Sequence, residues 1–506
     1  MIKTLKLLIS SKNPNHNWNV ASGFSSFSTK TLLSSSDNLF KRILPAGDPK
    51  VSIVPILDQW VQEGRPLNQS ELKSAVKLLR NCKRYTHALQ LAEWMKDSSN
   101  LSPADIAIRL DLISRVRGLR EAEKYFNDVS DTSKTYKVYG SLLNCYASYK
   151  LVDKAEEIMQ IMRQSGCNME LSYNIMLNLY SKLRKCEKLE KLVQEMEKDG
   201  LSCGKSTYYI LLNASAADSD IEAMEKLFKK MEMDPVVNVN WHAYVIAAKG
   251  YSKAGLRDKA SDMLKKAKNL IRRSDTGPAY HFLLSMYASL GNKDEVNEIW
   301  HLYKKRGLRR NMGYFYMINS LIRLDDINGA EKIFQEWEAI NTSYDFRILN
   351  TLINAYTKKG LLREAEALVN KAVECEKKVP ASTWDHLSTG YYKDNQMEKA
   401  AYAMKNAVFS CKGTSWTLNC ITLKACLEYM KVKGDVEREK IVRLLAEQGI
   451  ILENVTRLHE TGSCEFSIFD ELEKNDEEID SLLLGSKSEV MTDNNHSNEM
   501  YGLNNS

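Results

Sequence analysis

The sequence predicts an all-α protein, a solenoid of about 10–11 tandem helical hairpins, and three observations carry that prediction. Residues 348–368, ILNTLINAYTKKGLLREAEAL, open two apolar stripes at helical spacing: Leu349, Leu352, Ile353 and Tyr356, then Leu361, Ala365 and Leu368, continued by Ala372 just beyond. Variants of that stretch recur, with units beginning near residues 69, 103, 136, 170, 205, 241, 277, 311, 346, 381 and 420, spaced by 33 to 36 residues and by 39 at the last. Only 9 prolines and 23 glycines occur in 506 residues, and no apolar run approaches the ~18 residues of a membrane span.

Taken from the N-terminus, residues 1–36 carry Lys3, Lys6, Lys12 and Lys30, many Ser, Thr and Asn, and no acid before Asp37. This composition reads as a transit peptide, addressed to the mitochondrion because MIKTLKLLIS forms a basic amphipathic start, with the chloroplast as the alternative. The lack of arginine before Arg42 departs from the usual pattern. Residues 37–68 lead into the repeat array, which spans 69–449. In each unit Lys358-Lys359-Gly360 or its counterpart breaks the hairpin: glycine takes the positive φ that ends a helix, and lysines suit the carbonyl end of the dipole. Each helix is too short to stand alone, so its stripe must pack on neighbouring copies. Small residues mark the packing point of the second helix, at Ala88, Ala122, Ala155, Ala260, Ala330, Ala365 and Ala400, with Leu189, Met224 and Val296 filling the column elsewhere. The first helix repeats LLNCY, MLNLY, LLSMY and LINAY, ending at Tyr146, Tyr180, Tyr287 and Tyr356. Residues 450–506 form a C-terminal extension that is acidic from about 469 and too poor in apolar groups to offset its ordering entropy, so disorder is expected there.

SYNIMLNLYSKL (172–183) and RILNTLINAYTKKGLLREAEAL (347–368) resemble the pentatricopeptide repeat family, whose units read TYNxLIxxYxKxGxxxxA. DKAEEIMQIMRQSG (153–166) resembles that family's second helix and turn. The tetratricopeptide alternative needs glycine where this chain has Leu143, Leu177, Leu284 or Ile353. The resemblance covers residues 69–449, is to the plant organellar type made of repeats alone, and implies a right-handed superhelical α-solenoid.

Catalytic motifs are absent from the sequence. GLSCGKST (200–207) imitates a phosphate-binding loop but is one residue short between its glycines. The ten cysteines contain no Cys-x-x-Cys pair, and the eight histidines make no His-Glu-x-x-His, so no metal, cofactor or deaminase-like site is expected. Glu364 and Glu366 read as a solvated helix face.

Function must then lie along the repeats. The net charge of +6 divides into +4 for residues 1–36, +10 for 37–468 and −8 for 469–506, which makes the array basic and compatible with a phosphate-bearing partner. The resemblance implies that each repeat offers two side chains to one base. It places the first at Gly140, Asn174, Tyr209, Val245, His281, Phe315, Asn350 and Asp385. The second falls at Gly204, Asn240, Thr276, Arg310 and Asp345, at Pro380 or Ala381 after Asn350, and at Met169 or Glu170 after Gly140. Candidate RNA-binding residues are therefore Asn174, Tyr209, Asn240, His281, Arg310, Phe315, Asp345 and Asn350. Only Asn174 and Asn350 have the short amides a base code favours, whereas Tyr209, Phe315 and His281 suit stacking. Two functions follow as expectations. The first is a non-catalytic, monomeric protein that binds single-stranded organellar RNA and affects processing, stability or translation of mitochondrial transcripts. The second is a scaffold of the mitochondrial ribosome that touches ribosomal RNA and ribosomal proteins. Neither involves a membrane.

Overall fold

The computed structural model describes residues 39–447 except 47–50, 66–67, 96–100, 168, 236, 273–276, 341–343 and 412–417. The transit-peptide and acidic-tail expectations, and Thr276, lie outside the described residues. Two helices, Leu39–Ile43 and Val54–Gln62, precede eleven hairpins, and no strand occurs among the described residues. First helices begin at Gln69, Pro103, Tyr136, Glu170, Lys205, Trp241, Pro278, Asn311, Phe346, Ala381 and Cys420. Each start lies within one residue of the unit start read from the sequence.

The chain divides into two compact units between Val239 and Asn240. In the first, successive first helices from Pro103–Arg117 to Lys205–Asp218 pack directly on one another. The second repeats this from Trp241–Lys253 to Cys420–Lys433. Second helices fill the other layer, and most reach forward to the next first helix.

The alanine column explains the close approach. Ala88, Ala122, Ala155, Ala260, Ala330, Ala365 and Ala400 are all 0% exposed, as are Met224 and Val296. Leu189 departs from the column and is half-buried. At the hairpin turns the backbone adopts positive φ, +72° at Gly360 as its sequence predicts. Yet Lys83, Lys150, Arg184, Ser219, Asp325 and Asn395 take the same turn with a side chain, at φ between 52° and 61°. Packing forces a conformation that costs an L-residue about 1–2 kcal/mol.

Polar bonds lock the layers in register. Tyr180 donates to Glu156 at 2.8 Å and Tyr356 to Glu331 at 2.7 Å, each reaching the preceding second helix beside its packing alanine. Lysines complete the bridges from the following second helix: Lys154 to Glu123 at 2.6 Å, Lys188 to Glu156, and Lys399 to Glu366 at 2.9 Å. Glu366 thus joins two repeats, a correction to the purely solvated face read from sequence. Burial would raise the pKa of Glu156, but hydrogen bonds from Lys188 and Tyr180 hold it below the usual range.

Candidate nucleic-acid interface

The first candidate column lies between consecutive first helices and is largely buried. Asn174, 8% exposed, accepts a hydrogen bond from Thr207 at 2.8 Å and donates to Glu170 at 3.3 Å. Asn350, 7% exposed, accepts from Thr383 at 2.7 Å and donates to Ser382 at 3.1 Å. Both amides staple one repeat to the next, since Thr207 and Thr383 each stand 33 residues on. Asp385 makes the same connection by accepting from the Asn419 amide at 3.1 Å. Tyr209 and Val245 are buried, Lys205 lying over the Tyr209 ring at 5.7 Å. Phe315 is buried edge-on against Tyr316, with ring centroids 5.8 Å apart. Gly140 is half-buried.

His281 and Arg310, paired in the sequence reading, do come together. The imidazole stacks on Tyr316 at 4.8 Å and lies 5.8 Å from Tyr303. Burial, with the Arg310 charge as a lesser cause, pushes its pKa down to about 3, so the ring is neutral at physiological pH. Gly313 makes room for this cluster, because a Cβ there would meet the Tyr303 hydroxyl at 2.3 Å.

The second column is the N-cap position of the first helices, which explains its composition. Asn240 accepts from the His242 amide at 3.1 Å and Asp345 from the Arg347 amide at 3.1 Å, so both side chains are engaged in capping. Asp345 also holds the Arg347 guanidinium at 2.7 Å. Arg310, Gly204 and Pro380 occupy the same position without a side-chain cap on the helix they start, and Met169, 39% exposed, donates its backbone N–H to Ser172 at 3.0 Å. At Gly204 a Cβ would strike Glu170 at 2.2 Å. The Glu170 carboxylate therefore stands directly beside Gly204, within the imitation phosphate loop.

The more open face of the first helices carries different residues. In Glu170–Lys182, Leu171, Ile175, Asn178 and Lys182 retain exposure, at intervals that mark one helix face. Aligned with Asn178 are Asn144 and Asn213 in the first unit, and Lys249, Ser285, Asn319, Asn354 and Thr389 in the second, all half-buried or exposed. One turn on, a column with five cations follows: Lys182 in the first unit, then Lys253, Arg323, Lys358 and Lys393 in the second, all exposed. Partial burial among its neighbours, and the charge of nearby Lys393, hold the Lys358 pKa below the usual lysine range. Sequence reading missed these columns. Their signal was the middle letter of LLNCY, MLNLY, LLSMY and LINAY, together with the basic residue two places beyond three of the tyrosines or their equivalents at Lys182, Lys358 and Lys393.

The sequence pattern of the PPR repeat matches residues 137–167, 206–236 and 347–376, and that of the PPR repeat family matches 170–217. A mitochondrial pentatricopeptide repeat-containing protein of Arabidopsis thaliana is 39% identical over 430 residues, which cover 84% of this chain and 87% of that one. The chain belongs to the pentatricopeptide repeat family. Among its other relatives, large ribosomal subunit protein mL101 of Arabidopsis thaliana is 37% identical over 429 residues, 83% of this chain and 86% of that protein. Of solved structures, the pentatricopeptide repeat protein PPR10 in complex with an 18-nt psaJ RNA element matches with a TM-score of 0.44 and 18% identity, covering 75% of this chain and 57% of that one.

Among the described residues no group of three or more His, Cys, Asp or Glu could hold a metal, and no helix is long and apolar enough to cross a membrane. Burial pushes the Cys145 and Cys426 thiols up to about 11, which keeps them protonated rather than nucleophilic.

Proposed function

We propose that the protein binds RNA along the open face of its first helices and acts without catalysis on transcripts in the mitochondrion. The observation that carries this reading is the cation column, with Lys358 beside Lys393 at the end of an asparagine- and serine-rich stripe. Two neighbouring ammonium groups repel each other, and a phosphodiester backbone running past them relieves the repulsion. The stripe supplies amide and hydroxyl groups to bases or sugars. Because Asn174 and Asn350 are engaged between repeats, recognition is dominated by phosphates and differs little between sequences. The protein then works by occupying RNA, and so affects its processing, stability or translation.

Mitochondrial residence rests on the acid-free first 36 residues and on relatives named as mitochondrial. A reporter fused to residues 1–50 should enter mitochondria; plastid or cytosolic fluorescence would refute the address. A second reading, association with the mitochondrial ribosome, is favoured by the similarity to mL101 over most of both chains. Crosslinking and RNA sequencing on the tagged protein in isolated organelles separates the two. Discrete peaks on messenger RNA support the first, and ribosomal RNA signal with ribosomal co-sedimentation supports the second.

A further inference from the structure

Along one edge of the second unit, where second helices end and the next first helices begin, stands a cation cluster apart from the first-helix face. Residues 304–310 read KKRGLRR, five cations in seven positions. Lys304 pairs with Glu336 at 3.2 Å, and Tyr314 donates to the same carboxylate at 3.0 Å, so that acid is already occupied. Lys305 and Arg309 are exposed and Arg310 is half-buried, and none of the three has a carboxylate partner among the described residues. Arg306 reaches the Ile271 carbonyl at 3.5 Å, which joins the preceding repeat, with Lys266 and Arg272 exposed near its end, to this edge.

The chemistry of the edge identifies what it fits. Several other second helices pair a lysine with a glutamate of the neighbouring second helix, as at Lys371 and Glu338, 2.7 Å apart. Here the cluster is rich in arginine, whose planar fork matches phosphate oxygens two at a time. The helix Asn311–Arg323 also starts at this edge with no acid in its first turn, so its positive dipole end adds to the field. The nearby rings are not open platforms: Tyr280 is buried, with Arg306 5.8 Å from its centroid, and Tyr244 is half-buried, with Lys266 at 5.9 Å. A surface with phosphate donors and no open stacking platform suits RNA whose bases are already paired.

We propose that this edge docks the phosphate backbone of a double-helical RNA segment, beside the single-stranded path on the first-helix face. The proposal rests on the RNA-binding reading and extends it to structured RNA. The test uses the full chain with K305Q/R309Q, both positions exposed, and charge reversal K305E/R309E as the second variant, with folding checked by circular dichroism. Affinities for an unstructured single strand and for a hairpin with a long stem are titrated at several salt concentrations. The hairpin should bind roughly tenfold or more weaker to K305Q/R309Q, with its salt slope smaller by about 2, while the single strand changes less than about threefold. Charge reversal should deepen the hairpin loss. Unchanged hairpin binding, in a protein whose single-strand binding is intact and still weakened by K358Q/K393Q, overturns the edge and leaves the RNA reading standing. Equal loss on both RNAs overturns the duplex assignment. Loss of binding to polyglutamate, with RNA unaffected, overturns it in favour of an acidic protein. Failure of the unaltered protein to bind either RNA at low salt removes the edge and the RNA reading together.

Discussion

Replacing Asn350 by alanine tests whether the buried asparagines hold repeats together. The substitution removes the acceptor of the Thr383 hydroxyl, 2.7 Å away, and the donor to Ser382 at 3.1 Å. Thr383 is 0% exposed, so its hydroxyl cannot turn to water. An unsatisfied buried hydroxyl costs about 1–3 kcal/mol, and that is the destabilisation expected. Thr383→Val in the Asn350→Ala background should recover part of it, because the stranded donor is gone, giving a coupling energy of about 0.5–3 kcal/mol in the double-mutant cycle. Urea unfolding followed by circular dichroism provides the measurement, compared through midpoints since a repeat array need not unfold in one step. Additive effects, or an Asn350→Ala loss under about 0.5 kcal/mol, would refute the staple. So would a variant of unchanged stability that lost affinity for one base only.

Two further outcomes follow from the backbone and the buried histidine. Lys150→Gly should stabilise the hairpin turn by roughly 0.5–1 kcal/mol, because glycine accepts the positive φ of 58° without the side-chain penalty though it gains unfolded-state entropy; an equal or lower urea midpoint contradicts this. His281, at about 3 when folded against 6.5 unfolded, binds its proton only in the unfolded chain between those values. Its contribution to stability is therefore complete above pH 6.5 and is lost as pH falls toward 3, by up to about 1.4 kcal/mol per pH unit. His281→Phe, which keeps a ring against Tyr316, should flatten the pH dependence of the melting temperature below 6.5, and curves that stay parallel rule the mechanism out.

The fold was legible because its signals are local and repeated. Helical stripes, turn signals and the alanine column place all eleven first helices within a residue, although Leu189 is a larger side chain left half-buried in that column and six turns are made without glycine. The site was less legible because residue type does not show direction. Asn174 and Asn350 have the chemistry of base readers, yet a threonine 33 residues downstream claims each amide, and nothing in either repeat alone reveals that. Asn240 and Asp345 suffered the same ambiguity, since a short polar side chain serves equally as a base contact and as a helix cap. Asn144, Asn178 and Asn354 stood inside the recurring motifs but carried no message until burial showed which helix face stays open.

The most direct test of RNA binding on that face compares the unaltered protein with K358Q/K393Q, titrated against a random pool of single-stranded RNA over a range of salt. Each phosphate contact on a single strand contributes about 0.7 to the slope of log affinity against log salt, so the double variant should bind more weakly with a slope smaller by about 1.4. Asn174→Ala should leave that slope unchanged. An identical slope for K358Q/K393Q, or no binding by the unaltered protein at low salt, would contradict RNA recognition by the cation column.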